Sequence, residues 1–510
     1  MKNGGIVEAK EYIEALNAFF SSNARETNAM ASKAPSKVFF DMAEQTALET
    51  FRVAAKTVPA YKDFLRKNKA DPEKIKTIED FKTLPLTSKD NYLSKYPLRD
   101  LLVGGNWEDR FATTSSSGSS GNPRYWPRFF MQDIGVFNGM DATYVDLFDI
   151  DRKSTLFVNS AGMGVWTAGD MVDIADKFMA MKYKNHSSIS PGIDMDNTLW
   201  SLKALAADFE QVIICGYPPF LKDLVDQLPK EIAKKTDIKI IAFGEPFSES
   251  WRNYIAKRIG VKKPYKSICS FLGSSEGGLI GSEFATSVYI RQVAQTSRKL
   301  TESLFGQNQL PSLVQYGPKS KYIEDVGGQL VMTNKGGLPL IRYDTKDAGG
   351  LLSPEDITSK YLEVTGRNLN DDLAKEGIVP NNMPYVYLFG RADYSATLYG
   401  ITISPEQVKD ALIGDRVNKL LTGRFNMKTV YDKSENQNLE IVCELRRGVQ
   451  VDSVDAQSLA GIVGEELAHF STEYGKLLST MKERVLPVIK LKEYGDKQYF
   501  SSKNKQKYLG

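Results

Sequence analysis

Apolar positions along this chain follow two rhythms, and the change between them organises it. Through residue 110 the pattern is helical, with charged outer faces and a proline-punctuated end near Leu84 and Pro85. From about residue 154, short apolar runs alternate with amphipathic stretches. Residues 211–215 predict a strand. Pro218 and Pro219 then open a helix with Leu221, Leu224, Val225 and Leu228 on one face. Residues 238–243 predict the next strand. Ser248 follows as an N-cap, Trp251, Tyr254 and Ile255 form an inward face, and Gly260 stops the helix. A third strand, residues 267–272, runs directly into Gly273-Ser274-Ser275-Glu276-Gly277-Gly278. Strand–helix–strand alternation implies parallel pairing with helices on the faces, and ligands gather where such strands end.

Residues 286–343 read as more β-like, with a strand over 329–333, and a polar stretch over 366–384 interrupts the pattern before 385–389. Beyond residues 390–393, a strand is predicted over 401–403. Ser404 then caps a helix that carries Pro405, Val408 and Leu412. Residues 439–445 alternate and pair across the polar turn 432–438. Leu459, Ile462, Val463 and Leu467 mark a further helix. The expected fold is α/β: a large N-terminal domain with parallel-sheet βα layers and a β subdomain, then a small α+β C-terminal domain. Residues 1–110 form the helical part of the large domain, 111–389 its binding part, and 390–510 the C-terminal domain.

Composition narrows the function. A chain of 510 residues exceeds one ordinary core. Its 42% hydrophobic and 25% charged content fits a soluble globular protein. The net charge of +3 is the small excess of 66 basic over 63 acidic residues, and no basic stripe interleaves with aromatics, so nucleic acid is not the expected partner. No apolar signal core opens the chain and no run approaches membrane-spanning length, so a cytoplasmic protein without membrane contact is expected. Cys215, Cys269 and Cys443 read as reduced, buried thiols. With only His186 and His469, zinc sites and histidine-dependent hydrolase triads are disfavoured. Any chemistry must come from charge placement.

The densest chemical signal is Thr113-Thr114-Ser115-Ser116-Ser117-Gly118-Ser119-Ser120-Gly121-Asn122-Pro123-Arg124. Glycines let backbone N–H groups approach an anion, hydroxyls add donors, and Arg124 adds charge, which suits a polyphosphate. No Lys-Ser/Thr follows the last glycine, so this is not a Walker loop. Read alone, a flexible Gly/Ser linker fits equally well.

Downstream stand the Gly273–Gly278 motif, Tyr343-Asp344-Thr345-Lys346-Asp347, Gly390-Arg391-Ala392-Asp393 and a C-terminal lysine cluster. In this order and spacing they resemble the adenylate-forming superfamily of acyl-CoA synthetases, luciferases and peptide-synthetase adenylation domains. Val58-Pro59-Ala60-Tyr61, Leu84-Pro85-Leu86-Thr87-Ser88-Lys89, Gly244-Glu245-Pro246-Phe247 and Pro339-Leu340-Ile341-Arg342-Tyr343 point within it to a phenylacetate–CoA ligase-like branch.

The resemblance implies ATP, Mg²⁺ and coenzyme A, with the C-terminal domain mobile. It assigns Ser115, Ser116, Ser117, Gly118, Ser119, Ser120 and Gly121 to the β and γ phosphates, with Arg124 supplementary. Ser275 lies beside the α-phosphate, and Ser274 belongs to the same nucleotide-binding turn. Glu276 holds the metal, although a capping or surface role also fits its position. Glu245 and Pro246 line the adenine pocket, with a helix-start acid as the other reading of Glu245. Asp347 and Arg391 hold the ribose, Asp393 is the hinge, and Lys505, with Lys503 in reserve, is the catalytic lysine. Trp166, Tyr217 and Phe220 form the acid pocket, while His186, a single polar-loop histidine, is expected to be exposed. Phe271-Leu272, Tyr394 and Tyr399 depart from the usual pattern.

The expected reaction is ATP-dependent activation of a carboxylic acid to an acyl-adenylate, then transfer to coenzyme A. An adenylating ligase passing its acyl group to an amine or a carrier-protein thiol is the rival, and a nucleotide-binding module without turnover is a second. A homodimer is left open. Lys505→Ala should lower adenylate formation about a hundredfold or more, the cost of removing a preorganised charge donor. Unchanged pyrophosphate release in that variant would remove Lys505 from the site.

Overall fold

The computed structural model describes residues 9–115, 124–391, 396–403, 405–413, 416–417, 419–496 and 498–500. Helices Ala9–Ser21, Ala24–Lys33, Ser36–Thr57 and Pro59–Lys67 open the chain as the early pattern predicts. The longest buries Ala43, Thr46, Ala47, Thr50, Phe51 and Ala54, steps of three and four that lie on one helical face. It ends at Val58, whose extended backbone is what a following proline requires. Phe51, Tyr61, Phe81 and Tyr92 then pack edge to face.

A hairpin, β1 (Arg110–Ser115) with β2 (Tyr125–Phe129), flanks the hydroxyl-rich segment. Next come β3 (Thr155–Asn159), β4 (His186–Ile189), β5 (Gln211–Gly216), β6 (Asp237–Phe243) and β7 (Ile268–Ser274). These five are parallel, in the order β4-β3-β5-β6-β7. Every residue of β3 and β5 is buried, as expected of strands with both faces covered. The sheet continues through β8 (Gly278–Ser282), β9 (Ser312–Gln315), β10 (Lys321–Val326), β11 (Gln329–Asn334), β12 (Leu340–Leu352) and β13 (Tyr385–Arg391). Those six add antiparallel in the order β8-β9-β13-β12-β11-β10, making eleven strands among the described residues.

The helix after β5 spans Pro218–Gln227, and that after β6 spans Glu249–Arg258 with the Ser248 hydroxyl accepting from the Trp251 amide, both as predicted. One stretch differs. Residues 286–305, expected to be β-like, form helices Ala285–Gln295 and Arg298–Phe305. Their branched residues favour strands locally, but burial falls on Val288, Arg291 and Ala294, and on Leu300, Thr301, Leu304 and Phe305. That is helical spacing, and tertiary packing overrides propensity. The Ser297 hydroxyl accepts from the Leu300 amide to start the second helix, and Gly306 at φ 73° stops it.

The C-terminal segment pairs β14 (Ala396–Leu398) with β15 (Ile401–Ile403), and β16 (Leu421–Tyr431) antiparallel with β17 (Gln437–Leu445). β18 (Val488–Lys492) adds parallel to β17. Helices Pro405–Ile413 and Ala456–Phe470 pack on this sheet, and Thr472–Met481 packs on the second of them. Apolar contact is continuous from Leu221, Leu224 and Trp251 into Leu398, Phe425 and Val463, so this segment packs on the helices beside the parallel sheet.

Under the ends of β6 and β7 lie four charges without solvent. Arg252 pairs with Glu249 and Glu283, each at 2.8 Å, and Arg291 pairs with the same two acids at 3.2 and 2.8 Å. Glu283 also accepts from the Ser270 amide at 2.7 Å, and Arg291 donates to the Phe247 carbonyl at 3.0 Å. Two cations against two anions leave no net charge, and the network ties the loop after β6 to β7 and to the segment after β8. Removing one member strands the others in low dielectric. Arg252→Met should therefore destabilise the protein by about 3 to 5 kcal/mol, read from the urea midpoint. A loss below about 1 kcal/mol would show that the loops hold without it.

Candidate functional site

The carboxyl ends of β3, β5, β6 and β7 open on one side of the parallel sheet, and most of the sequence-predicted site residues that are described follow them. After β3 the chain turns through Asn159, whose side-chain amide donates to the Gly169 carbonyl at 3.1 Å, closing the loop 160–169. That loop returns to β1: the Ser115 amide donates to the Val165 carbonyl at 2.7 Å, and Ser115 bridges Trp166. The Thr167 hydroxyl adds a 2.9 Å hydrogen bond to Thr114. The start of the hydroxyl-rich segment is thus stitched to the crevice at the strand ends. Ser116, Ser117, Gly118, Ser119, Ser120 and Gly121 lie outside the described residues, as do Asp393, Ser404, Lys503 and Lys505. Arg124 donates to the Leu93 carbonyl at 2.7 Å and to the Ser94 hydroxyl at 3.1 Å.

Tyr217 follows β5, and its ring lies against two glycines. A Cβ on Gly244 would come within 2.6 Å of that ring, and one on Gly400 within 2.5 Å. Both glycines have positive φ, at 87° and 79°, so close approach and backbone shape demand glycine together. Gly400 comes from the C-terminal segment, so Tyr217 is held between the two halves of the chain. The Tyr217 hydroxyl lies beside Gly162 and near Trp166. Phe220 instead sits in the apolar cluster at 2% exposure, while the half-buried Trp166 is covered by the Lys476 ammonium, 5.5 Å from its ring centre.

Glu245 follows β6 and is buried. Its Oε2 accepts from Gln437 Nε2 at 2.5 Å, and its Oε1 has no hydrogen-bond partner. Burial pushes this carboxyl up to about 8, against the lowering effect of Gln437. The Gln437 side-chain carbonyl in turn accepts from the Tyr399 amide at 2.6 Å. Pro246 is exposed beside it.

Glu276 sits half-buried in the turn between β7 and β8, where the Ser274 hydroxyl accepts from the Gly277 amide at 2.9 Å. Ser275 lies in the same turn. A Cβ on Gly277 would meet Met332 of β11, whose register partner on β12 is Tyr343. The turn therefore reaches toward the bend 343–347. There Asp347 pairs in register with Arg391 of β13, so the two residues expected at the ribose stand opposite each other on adjacent strands.

His186 corrects an expectation. It starts β4 at 6% exposure, with Nε2 2.8 Å from Asp176 Oδ1. Burying an imidazole is tolerated because a buried carboxylate meets it. Cys215, Cys269 and Cys443 are free and buried, as expected.

Sequence reasoning missed the polar contacts between the two halves. Asp223 accepts from the Tyr399 hydroxyl at 3.0 Å and from Arg484 at 3.2 Å, and Lys222 donates to Asn436 at 2.7 Å. Glu473, at 5% exposure with an unpartnered Oε2, is pushed up to about 8 by burial. Nothing near these residues in sequence marks them, because their contacts or burial arise only when distant segments meet.

Among known proteins, the chain is 22% identical to a phenylacetate-coenzyme A ligase of Pseudomonas putida over 445 residues, covering 85% of this chain and 89% of that one. It is 21% identical to the Escherichia coli (strain K12) phenylacetate-coenzyme A ligase, covering 71% and 74%. A solved 2-hydroxyisobutyryl-CoA ligase, in complex with 2-HIB-AMP and CoA in its thioesterification state, superposes with a TM-score of 0.58 at 15% identity. That match covers 97% of this chain and 91% of that one. The fold is that of the adenylate-forming ligases. In sequence the chain is phenylacetate–CoA ligase-like. No family model matches it. No helix among the described residues is long and apolar enough to cross a membrane.

Within this adenylate-forming fold, Glu245 makes stability depend on pH in a definite direction. A carboxyl raised to about 8 keeps its proton in the folded state after the unfolded chain has lost it. Stability is therefore fullest below the ordinary carboxylate range and falls as pH rises toward 8. Between about pH 5 and pH 9, Glu245→Gln should lose a few degrees less in melting temperature than the unaltered protein. Glu473 contributes to the same trend, so the Glu245→Gln/Glu473→Gln pair should be flatter still. Equal slopes in all three proteins would contradict the burial argument.

Proposed function

We propose that this protein uses ATP to activate a carboxylic acid as an acyl-adenylate, releasing pyrophosphate, and then transfers the acyl group to coenzyme A. The observation that carries the reading is the stitching of Ser115 to Val165 and Trp166. It sets the start of a hydroxyl-rich, glycine-rich segment against the crevice where the parallel strands end. The phenylacetate-coenzyme A ligases to which the chain is similar support the acid and the thiol as substrates.

The physical problem in such a reaction is repulsion. A carboxylate approaching a polyphosphate at about 4 Å meets roughly 4 kcal/mol per charge pair at an effective dielectric near 20. Donors that can offset this repulsion are the hydroxyls of residues 115–121 and the amides of 116–121, Ser274 and Ser275 in the β7–β8 turn, and the lysines at positions 503 and 505. Asp347 and Arg391 are suited to the ribose, since a carboxylate accepts from paired hydroxyls while an arginine donates. Mg²⁺ would neutralise phosphate charge when bound. The part-exposed Glu276 carboxylate fits an ion that takes one or two carboxylates together with substrate phosphates. Trp166 and Tyr217 form an apolar wall for the organic group of the acid. We place the reaction in the cytoplasm, with the hinge at Asp393 and the domain boundary at residues 390–393. Nothing in the reading requires a homodimer.

The test is acid-dependent exchange between ATP and pyrophosphate across aryl, aliphatic and amino acids, with mass analysis of products when coenzyme A, an amine or a carrier protein is supplied. Exchange with an aryl or aliphatic acid and a coenzyme A thioester are expected, and Glu276→Ala should lower exchange about a hundredfold. Exchange confined to amino acids, or an amide as the product, would replace coenzyme A by another acceptor. No exchange with any acid would end the reading.

A further inference from the structure

Helix Thr472–Met481 turns one face toward the crevice at the ends of β3 and β5. Lys476 lies over Trp166, and Glu473 sits one turn earlier on the same face. Glu473 is 5% exposed and its Oε2 finds no hydrogen-bond partner, which is an unusual state for a buried carboxyl. The charges of Glu473 and Glu245 both act on the Tyr217 phenol, one from the C-terminal segment and one from the loop after β6. Two buried carboxyls, each with an unmet oxygen, thus flank the aromatic wall on which the acid is placed.

We propose that Glu473 is the proton acceptor for the thiol during acyl transfer. The inference rests on the acyl-adenylate and coenzyme A reading above. In the step, the thiol proton passes to the Glu473 carboxylate and the sulfur electron pair forms the C–S bond. The C–O bond to phosphate breaks, AMP leaves with that electron pair, and Glu473 returns its proton to solvent. Three titratable groups belong to this cluster with Glu473, of which Lys476 acts on it directly while Tyr217 feels both carboxyls. Lys476, on its own helix, favours the ionised form. Tyr217, after β5, is raised to about 12 by burial and stays protonated, and Glu245, after β6, is raised to about 8. A carboxyl held near 8 is a stronger base than an ordinary one, which is what removing a proton from a weakly acidic thiol requires.

The experiment follows single-turnover transfer from preformed acyl-adenylate to coenzyme A and to small thiols of graded acidity, beside ATP–pyrophosphate exchange. Glu473→Gln should lower the ratio of transfer to exchange by about a hundredfold or more. The loss should shrink as the thiol becomes more acidic, and Glu473→Asp should restore part of it. Transfer by the unaltered protein should rise through an inflection near pH 8 whatever the thiol, and Glu473→Gln should lack that limb. Equal loss of transfer and exchange, or a loss of the same size for every thiol, would overturn the assignment in favour of a packing role. Should Glu473→Gln not fold, the unaltered protein still decides, because an inflection that tracks the thiol pKa overturns the proposal. Absence of exchange with every acid would instead remove the function on which it rests.

Discussion

The buried pairing of Arg252 and Arg291 with Glu249 and Glu283 is the constraint on which the site depends. Its partners reach the Phe247 carbonyl in the loop after β6, the Ser270 amide in β7 and the segment after β8. Glu245 stands two residues before Phe247, and Glu276 tops the β7–β8 turn. One electrically neutral knot therefore ties the loop that carries Glu245 to the strand that leads to Glu276. An apolar core could fill the same volume, but it would not specify which carbonyl and which amide each loop must meet.

A second constraint acts across the halves of the chain. Tyr217 is held between Gly244 and Gly400, so at this point the backbone of the C-terminal segment packs directly on an aromatic face. Such a contact has little shape memory of its own. Specificity comes from the polar pairs around it, in which Asp223 takes Tyr399 and Arg484 while Gln437 meets Glu245. Tyr399, which the sequence reading set apart, lies in that interface.

The parts of the fold legible from sequence are those governed by local period. Strands β5, β6, β7 and β17, the helices Pro218–Gln227 and Glu249–Arg258, and the Ser248 cap all follow from spacing and punctuation. Residues 286–305 were misleading because branched residues favour strands in isolation, and only the core decides that Val288 and Ala294 face inward together. His186 misled for the same reason: a polar neighbourhood in sequence is not a polar neighbourhood in space, and its carboxylate partner lies on the preceding helix. Motifs singled out Glu245 and Glu276, which the structure puts just after strands, and Asp347, which lies within β12. No motif located Gln437, Asp223 or Glu473, whose significance arises from contacts between segments far apart in the chain.

That division has a physical reason. A strand-end loop carries its chemistry in consecutive residues, because the sheet beneath it already fixes direction and position. A residue that meets the crevice from the C-terminal segment needs only to be on the correct face of its own helix, and any polar residue on that face looks like an ordinary solvated one. What separates Glu473 from the other acids of the helices at that end is burial without a hydrogen-bond donor for Oε2, one turn from the lysine that covers Trp166. The unmet oxygen is tolerated because the folded chain keeps the proton on the carboxyl, at the cost of stability in alkali. A group maintained at that cost is poised to exchange its proton with whatever enters the crevice, whereas a glutamine there would hold the same space and exchange nothing.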